Sequence, residues 1–409
     1  MAEVEAIAGA TSAPAAGTTG RAWLTVALCA LASMAEGYDI QSMGVAAPAM
    51  APALRLTRDQ LGPAFSASTV GLLVGAFVIG TLADRIGRKW ALAGSLAVFG
   101  ALTLATPFAH DLGALLAIRL AAGLGLGGAM PNFIALAAEA VSEARRAQFV
   151  AVSAAAMPLG GAIASAVAAA LPWRAIFVVG GAWPLALAAI MAVALPESAR
   201  FLGARAQGRA ASPAEAVFGG GRWIASLLLW SAAFCVLLSL YLLLNWLPLL
   251  LAAKGVTKPG AAFVQLVFNI GGVIGTLALA LLFYGRRRGG TLAAWFIGMA
   301  AGALAIALAP PAVALAAFAG FVAGWFISSA PTALYALAPD FYAVEIRATG
   351  LGAVIGFGRL GAIVGPLLAG ALLARGKDTT GVLLALPPFI LAGAAATFLA
   401  LPRRPAHTG

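Results

Sequence analysis

Apolar and polar positions in this chain come in blocks rather than alternating. Mostly apolar runs of roughly 20 residues, the length a helix needs to cross a bilayer core, occupy 22–48, 61–83, 90–108, 112–138, 147–171 and 173–195. A second set occupies 223–253, 260–284, 291–309, 312–339, 348–374 and 381–401. The expected fold is an all-α membrane protein of twelve transmembrane helices. The spacing of the runs divides them into two six-helix bundles, 22–195 and 223–401, around a central cavity. Between the sets, 196–222 carries Arg200, Arg205, Arg209 and Arg222 among Ser, Pro and Gly without apolar periodicity, as expected of a cytoplasmic linker. Residues 1–21 are rich in Ala, Gly, Thr and Ser and lack the basic start of a signal peptide, so they are expected to form a disordered cytoplasmic tail; 402–409 form a second one.

Composition narrows the class further. Of 409 residues 62% are hydrophobic and 10% charged, more apolar surface than a soluble core absorbs. A net charge of +11 would fit a nucleic-acid partner, but the bases sit in short clusters between apolar runs, which is a topological pattern. With both termini inside, Arg21, Arg85, Arg88, Lys89, Arg145, Arg146, the linker arginines, Arg286 to Arg288, Arg347, Arg403 and Arg404 are cytoplasmic. That leaves only Arg55, Arg58, Arg174, Lys254, Lys258, Arg375 and Lys377 outside, so a multi-pass protein of the bacterial inner membrane is expected. Cys29 and Cys235 lie within apolar runs and His110 and His407 in a loop and a tail. No cofactor or metal is implied.

The two sets echo each other. After the fourth helix of each comes an acid and then arginine: Glu139 with Arg145 and Arg146, and Asp340 with Arg347. Repeats of this kind build many secondary transporters. After the second helix the chain reads Gly80-Thr-Leu-Ala-Asp84-Arg85-Ile-Gly87-Arg88-Lys89, a tight turn with an acid and bases at the membrane surface. Asp84 is expected near the positive N-terminus of a neighbouring helix and the bases near carboxylates or lipid phosphates, a conformational latch shared with Glu139, Arg145 and Arg347. A basic loop that only orients the chain is the plain alternative. The second-half counterpart, Phe283 to Arg288, lacks the acid and is expected to serve orientation only.

The Gly80–Lys89 string closely resembles the signature loop of the major facilitator superfamily. Other strings from 36 to 370 are similar to its aromatic acid:proton symporter family: Glu36-Gly37-Tyr38-Asp39-Ile40-Gln41, Arg119 followed by Gly123-Leu-Gly125-Leu-Gly127-Gly128-Ala-Met-Pro131-Asn132, Pro158-Leu-Gly160-Gly161, Trp173-Arg174, Pro196-Glu197-Ser198, Asn245-Trp246-Leu247-Pro248, Arg347-Ala-Thr-Gly350 and Gly358-Arg359-Leu-Gly361. The resemblance implies a monomeric transporter importing an aromatic carboxylate of benzoate, hydroxybenzoate or hydroxyphenylpropionate type with a proton. The run Tyr38 to Gln41 with Val45-Ala46-Ala47-Pro48 is most like the hydroxyphenylpropionate branch. Two departures stand out. Glu36 replaces the usual Asp, and Ser328-Ser329-Ala330-Pro331 replaces Gly-Gly-Gln, so the family's tenth-helix contacts do not carry over.

A charge at the centre of a membrane helix costs about 2.5 to 3.5 kcal/mol, so those present line a cavity and pair. Glu36, Asp39, Arg119 and Arg359 qualify. At about 1.5 Å per residue, Glu36 lies roughly 21 Å from the cytoplasmic start of its helix and Arg119 about 10 Å below the outer surface, nearly the same depth. A Glu36–Arg119 pair is therefore geometrically allowed, with Asp39 one turn away and both acids expected to serve as proton carriers; a permanent structural ion pair that only fixes packing is the alternative. A substrate carboxylate that takes Arg119 would release the acid to accept a proton. Arg359, about 16 Å into its helix, has no acid of its own half at that depth and is expected to stand unpaired, ready to hold the carboxylate through two parallel bonds. Gln41, Tyr38, Asn245 and Trp246 are expected to contact the substrate, with Tyr241, Asn269, Trp325 and Tyr335 as further ring or hydroxyl partners. For each of these, packing is the alternative. The Gly123–Gly128 string has no strand before it and reads as close helix approach rather than nucleotide binding. A drug efflux antiporter is the nearest rival, disfavoured because the fifth helix reads Met157-Pro158-Leu-Gly160-Gly161. A sugar porter would need a more polar lining, and a membrane-embedded enzyme would need a nucleophile–base or metal-ligand cluster.

Overall fold

A computed structural model describes residues 19–140, 143–197, 223–283, 288–342 and 346–401, as helices and short connections. The first half comprises α1 (Thr19–Ala53), α2 (Arg58–Ile86), α3 (Arg88–Ala105), α4 (Leu112–Gly127), α5 (Ala129–Ala140), α6 (Glu143–Ala170) and α7 (Trp173–Ala194). The second comprises α8 (Trp223–Ala253), α9 (Lys258–Leu282), α10 (Arg288–Leu308), α11 (Val313–Ala323), α12 (Ala330–Leu337), α13 (Arg347–Ala374), α14 (Thr379–Leu383) and α15 (Leu386–Ala400).

Against the expected twelve spans, ten helices among the described residues are long and apolar enough to cross a membrane, and Leu112–Gly127 is a shorter apolar one. Four of the expected helices depart from an uninterrupted apolar span, the tenth and the last while still counting among the ten. α1 carries Glu36 and Asp39 mid-length. The expected fourth helix divides at Gly128, and the tenth passes through a π turn, Gly324–Ser328, between α11 and α12. The last divides before Pro387 and Pro388, which lack the N–H a continuing helix needs. Residues 19–21, expected in the tail, begin α1. The tail before Thr19, the linker after Glu197 and residues 402–409 lie outside the described residues.

The internal repeat is visible in the turns. α1 and α2 are joined at Leu54–Thr57, α8 and α9 at Lys254–Thr257. In each, the residue after a cap returns its N–H to the preceding helix, Leu56 to the Ala51 carbonyl at 2.9 Å and Val256 to Leu251 at 3.1 Å. Each turn needs one left-handed residue: Gly255 supplies it at φ 97°, whereas Arg55 adopts φ 53° at the steric cost of a side chain there. Lys254 reaches past its turn to the carbonyls of Ile306, Ala307 and Ala309, which end α10. Burial pulls its pKa below the usual lysine value, and the Asp378 carboxylate opposes that shift.

Small residues set the packing. α2 lies on α4, α1 on α6 and α3 on α7; in the second half α8 lies on α13 and α15, and α9 on α11. As the glycine string leads one to expect, backbones touch: a Cβ at Gly123 would stand 2.0 Å from the Ser68 carbonyl oxygen, and one at Gly127 2.3 Å from that of Leu72. Gly123→Val must push α4 off α2, and such overpacking is expected to cost about 3 kcal/mol. The purified protein should show a clearly lowered thermal midpoint; an unchanged midpoint would refute the contact.

The halves meet through α6 on α9, α2 on α13 and α1 on α8. Their contacts gather at the end bearing the α1–α2 and α8–α9 turns. There the Ser66 hydroxyl donates to the Ile363 carbonyl at 2.9 Å, and Phe65 sets its ring edge-on to Trp246 at 5.1 Å. Gly44 lies on the Leu244–Asn245 backbone. Beyond this closure, between α1, α5, α6, α8 and α12, is a cavity of about 190 Å³. On the turn side a wider cleft of about 460 Å³ opens, walled by Pro, Ala and Leu with Arg58, Lys258 and Asp378.

Candidate functional site

The closed-in cavity rather than the wider cleft holds the buried charge. Glu36 of α1 and Arg359 of α13 meet across the two halves, Nη2 to Oε1 at 3.0 Å, with side chains 2% and 7% exposed. The same guanidinium donates from Nη1 to the Tyr241 hydroxyl oxygen at 2.6 Å and from Nη2 to the Met130 sulfur at 3.0 Å. Glu36, Met130 and Tyr241 all lie on the cavity wall. Arg359 is thus not unpaired. The expectation weighed only acids of its own half, whereas the halves close so that an acid of the first supplies the counter-charge.

Arg119, which its depth allowed to pair with Glu36, has a different partner. Its Nη1 and Nη2 donate to Asp39 Oδ1 and Oδ2 at 2.9 and 2.8 Å, a bidentate pair in which both residues are 1% exposed. Ser68 of α2 joins it, accepting from Nη2 at 3.2 Å and donating to Oδ2 at 3.3 Å. The pair lies among α1, α2 and α4, within the first half and off the cavity wall. Depth alone placed the arginine near either acid, and the direction of each side chain from α1 decided between them.

Amides close the cavity's inner end. Gln41 donates to Asn269 Oδ1 at 2.9 Å and accepts from Asn269 Nδ2 at 2.7 Å and from Gln265 Nε2 at 2.9 Å, so α1 and α9 are joined without a charge. Three other expected substrate contacts are spent elsewhere. Tyr38 donates its hydroxyl to the Ile176 carbonyl, Asn245 its amide to that of Tyr241, and Trp246 its indole N–H to that of Pro366. Tyr241, Asn269 and Tyr335 were legible as candidates; Ser68, Met130, Gln265, Ser328 and Thr332 were not. For Ser328 and Thr332 the available signal was their four-residue spacing in an apolar run, which puts two hydroxyls on one helix face.

The π turn explains how they reach the cavity. Pro331 has no N–H to offer the preceding turn, and the neighbouring serines divide the consequences. Ser329 is fully buried, accepts from the Trp295 indole at 2.8 Å and donates to the Trp325 carbonyl. Ser328 faces the cavity, as do Thr332 and Tyr335.

At the expected latch, Gly87 at φ 97° joins α2 to α3, and the carboxylate at the N-terminus of α3 is Glu197. Its Oε1 accepts from the backbone N–H of Arg88 at 2.8 Å and of Lys89 at 3.1 Å. The side chains of Asp84, Glu139 and Arg145 lie outside the described residues, Arg85 and Arg347 are exposed, and a Cβ at Gly80 would meet open space. In the second half Arg288 pairs with Asp340 at 2.6 Å, so that loop does have an acid, supplied from beyond α12 rather than from its own turn.

Comparison with known proteins agrees with this architecture. Residues 29–288 and 229–409 match the Major Facilitator Superfamily. The chain is 43% identical over 390 residues to a 3-(3-hydroxy-phenyl)propionate transporter of Escherichia coli (strain K12), covering 95% of this chain and 96% of that one. It is 34% identical to a gallate transporter of Pseudomonas putida, covering 90% of each. Among solved structures, the nucleoside transporter NupG aligns with a TM-score of 0.76 over 94% of this chain and 100% of that one, at 13% identity. A bacterial homologue of the human lysosomal transporter Spinster, inward-facing and occupied, aligns with a TM-score of 0.73 over 94% and 97%, at 17% identity, a likeness of fold alone. Repeated halves, a charged cavity between them and matches that run nearly the length of the chain converge on one assignment: the chain belongs to the Major Facilitator Superfamily.

Proposed function

We propose that this protein is a secondary active transporter of the bacterial inner membrane that imports an aromatic carboxylate together with a proton, as a monomer with both termini cytoplasmic. The relatives at 43% and 34% identity are named as transporters of a hydroxyphenylpropionate and of gallate, and are not enzymes. The observation that carries the reading is the Glu36–Arg359 ion pair, which bridges the two halves on the cavity wall. An incoming carboxylate competes with Glu36 for the planar guanidinium, which offers it two parallel hydrogen bonds. Glu36, left without its counter-charge in a water-poor site, takes up a proton. The site then holds substrate anion, Arg359 cation and neutral Glu36, the same net charge as the empty ion pair. Loaded and empty carriers can therefore both reorient, whereas a carrier holding only one of the two passengers carries an unbalanced buried charge.

The place where the halves touch supports a reading of alternating access. With the α1–α2 and α8–α9 turns at the periplasmic face, the closure at that end makes this the inward-facing state. The Gln41–Asn269–Gln265 amides must part for the outward one, and neutral hydrogen bonds, worth about 0.5 to 1.5 kcal/mol each net, exchange for water at small cost. Asp39 with Arg119 holds the first half together, and the Gly80–Lys89 turn with Glu139, Arg145 and Arg347 acts as the cytoplasmic latch. The test is uptake of labelled 3-(3-hydroxyphenyl)propionate and gallate by cells expressing the chain, with and without a protonophore. Accumulation that the protonophore abolishes is expected; accumulation that survives it would overturn proton coupling.

A further inference from the structure

We propose that the hydroxyl row Ser328, Thr332 and Tyr335 is a ring-hydroxyl subsite that makes the transporter selective for phenolic over unsubstituted aryl carboxylates. The proposal rests on the transport reading above and deepens it. These residues stand at i, i+4 and i+7, one face of a helix, and that face forms part of the cavity wall. Among the described residues none of the three hydroxyls has a hydrogen-bond partner. This contrasts with the other hydroxyls at hand: Ser329, the next residue, is tied to Trp295 and Trp325, and Ser33, also on the wall, donates to the Ser153 carbonyl at 2.8 Å. Idle hydroxyls in a half-buried cavity require a polar partner, either water or a substrate oxygen.

The row also has a direction. Tyr335 lies within electrostatic reach of Arg359 and Glu36. Ser328 lies two helical turns away, about 10 Å along the axis, at the closed end. A Cβ at Gly272 of α9 would stand 2.6 Å from its Oγ and 3.3 Å from Pro158 of α6. A substrate with its carboxylate on Arg359 would therefore point its ring toward Ser328, between the apolar walls of Ile40, Met157 and Leu244. A ring hydroxyl then meets Thr332 and Ser328, each able both to donate and to accept.

The test is proteoliposome uptake of 3-(3-hydroxyphenyl)propionate against 3-phenylpropionate. The parent is expected to favour the hydroxylated acid by on the order of tenfold in apparent affinity, and Ser328→Ala with Thr332→Val to bring the ratio close to one. Should the double variant not fold, each single variant carries the test and is expected to move the ratio about threefold. Ser329→Ala, which removes a hydroxyl with a structural task, should lower the thermal midpoint and leave the ratio where it was. A double variant that keeps the parent's ratio, or loses both acids equally at a normal midpoint, overturns the subsite. A parent that transports neither acid overturns the transport reading and this proposal with it.

Discussion

Glu36→Gln is expected to abolish uphill accumulation, to leave exchange of substrate between two loaded compartments intact, and to tighten apparent substrate affinity. The three effects share one cause. Glu36 occupies Arg359 at 3.0 Å, so on the proposed cycle it would be both the proton acceptor and the competitor of the substrate carboxylate. Gln keeps the shape but holds no exchangeable proton and no charge. Net proton-driven transport must stop, while exchange, which requires no net proton movement, continues. With its competitor weakened, the guanidinium binds a carboxylate more readily. Arg359→Ala should behave in the opposite way, losing accumulation and exchange together, because charge-assisted hydrogen bonds of about 1.5 to 3 kcal/mol disappear. Arg359→Lys should be nearly as impaired, since an ammonium cannot reproduce the planar two-bond contact or hold Tyr241 at the same time. Counterflow in proteoliposomes beside proton-driven uptake separates these outcomes. If Glu36→Gln still accumulates substrate like the parent, Glu36 is not the coupling acid.

That prediction also marks what the sequence could and could not disclose. The four intramembrane charges were legible because each interrupts an apolar run, and nothing but pairing makes such a charge tolerable. Their partners were not legible. Helical rise fixes depth, and depth places Arg119 near Glu36 and Asp39 alike; the choice between them depends on side-chain direction and on how the two halves close together to bring Arg359 onto Glu36, 323 residues away. The glycines of α4 were read correctly because their meaning is local: a missing Cβ permits contact whichever helix arrives. For the converse reason, Ser328 and Thr332 were not singled out. Comparison with a family pattern showed which residues α12 lacks, while the π turn that aims its own hydroxyls into the cavity is a property of the folded backbone around Pro331.

Arg119→Ala is expected to fail for a different reason from Arg359→Ala, and stability separates the two. Arg119 and Asp39 are each 1% exposed and bonded twice to one another, with Ser68 completing the set, all within α1, α2 and α4. Such a pair need not break when the halves move past each other, so it is expected to stand outside a cycle that needs a bond to open. Its loss is structural: removing one member leaves the other buried and uncompensated, about 3 to 5 kcal/mol. Arg119→Ala should therefore lower the thermal midpoint sharply and lose accumulation and exchange along with folded protein. The double variant Asp39→Asn with Arg119→Gln leaves no net charge to strand and can still exchange amide hydrogen bonds with itself and with Ser68, so it should recover much of the midpoint. Arg359→Ala offers the contrast, because its bridging partner Glu36 lines the cavity and on the proposed cycle can be neutralised by a proton. Thermal midpoints of the purified variants, measured alongside counterflow, test the division. An Arg119→Ala protein with the parent's midpoint and no transport would mean that this pair takes part in the transport cycle itself.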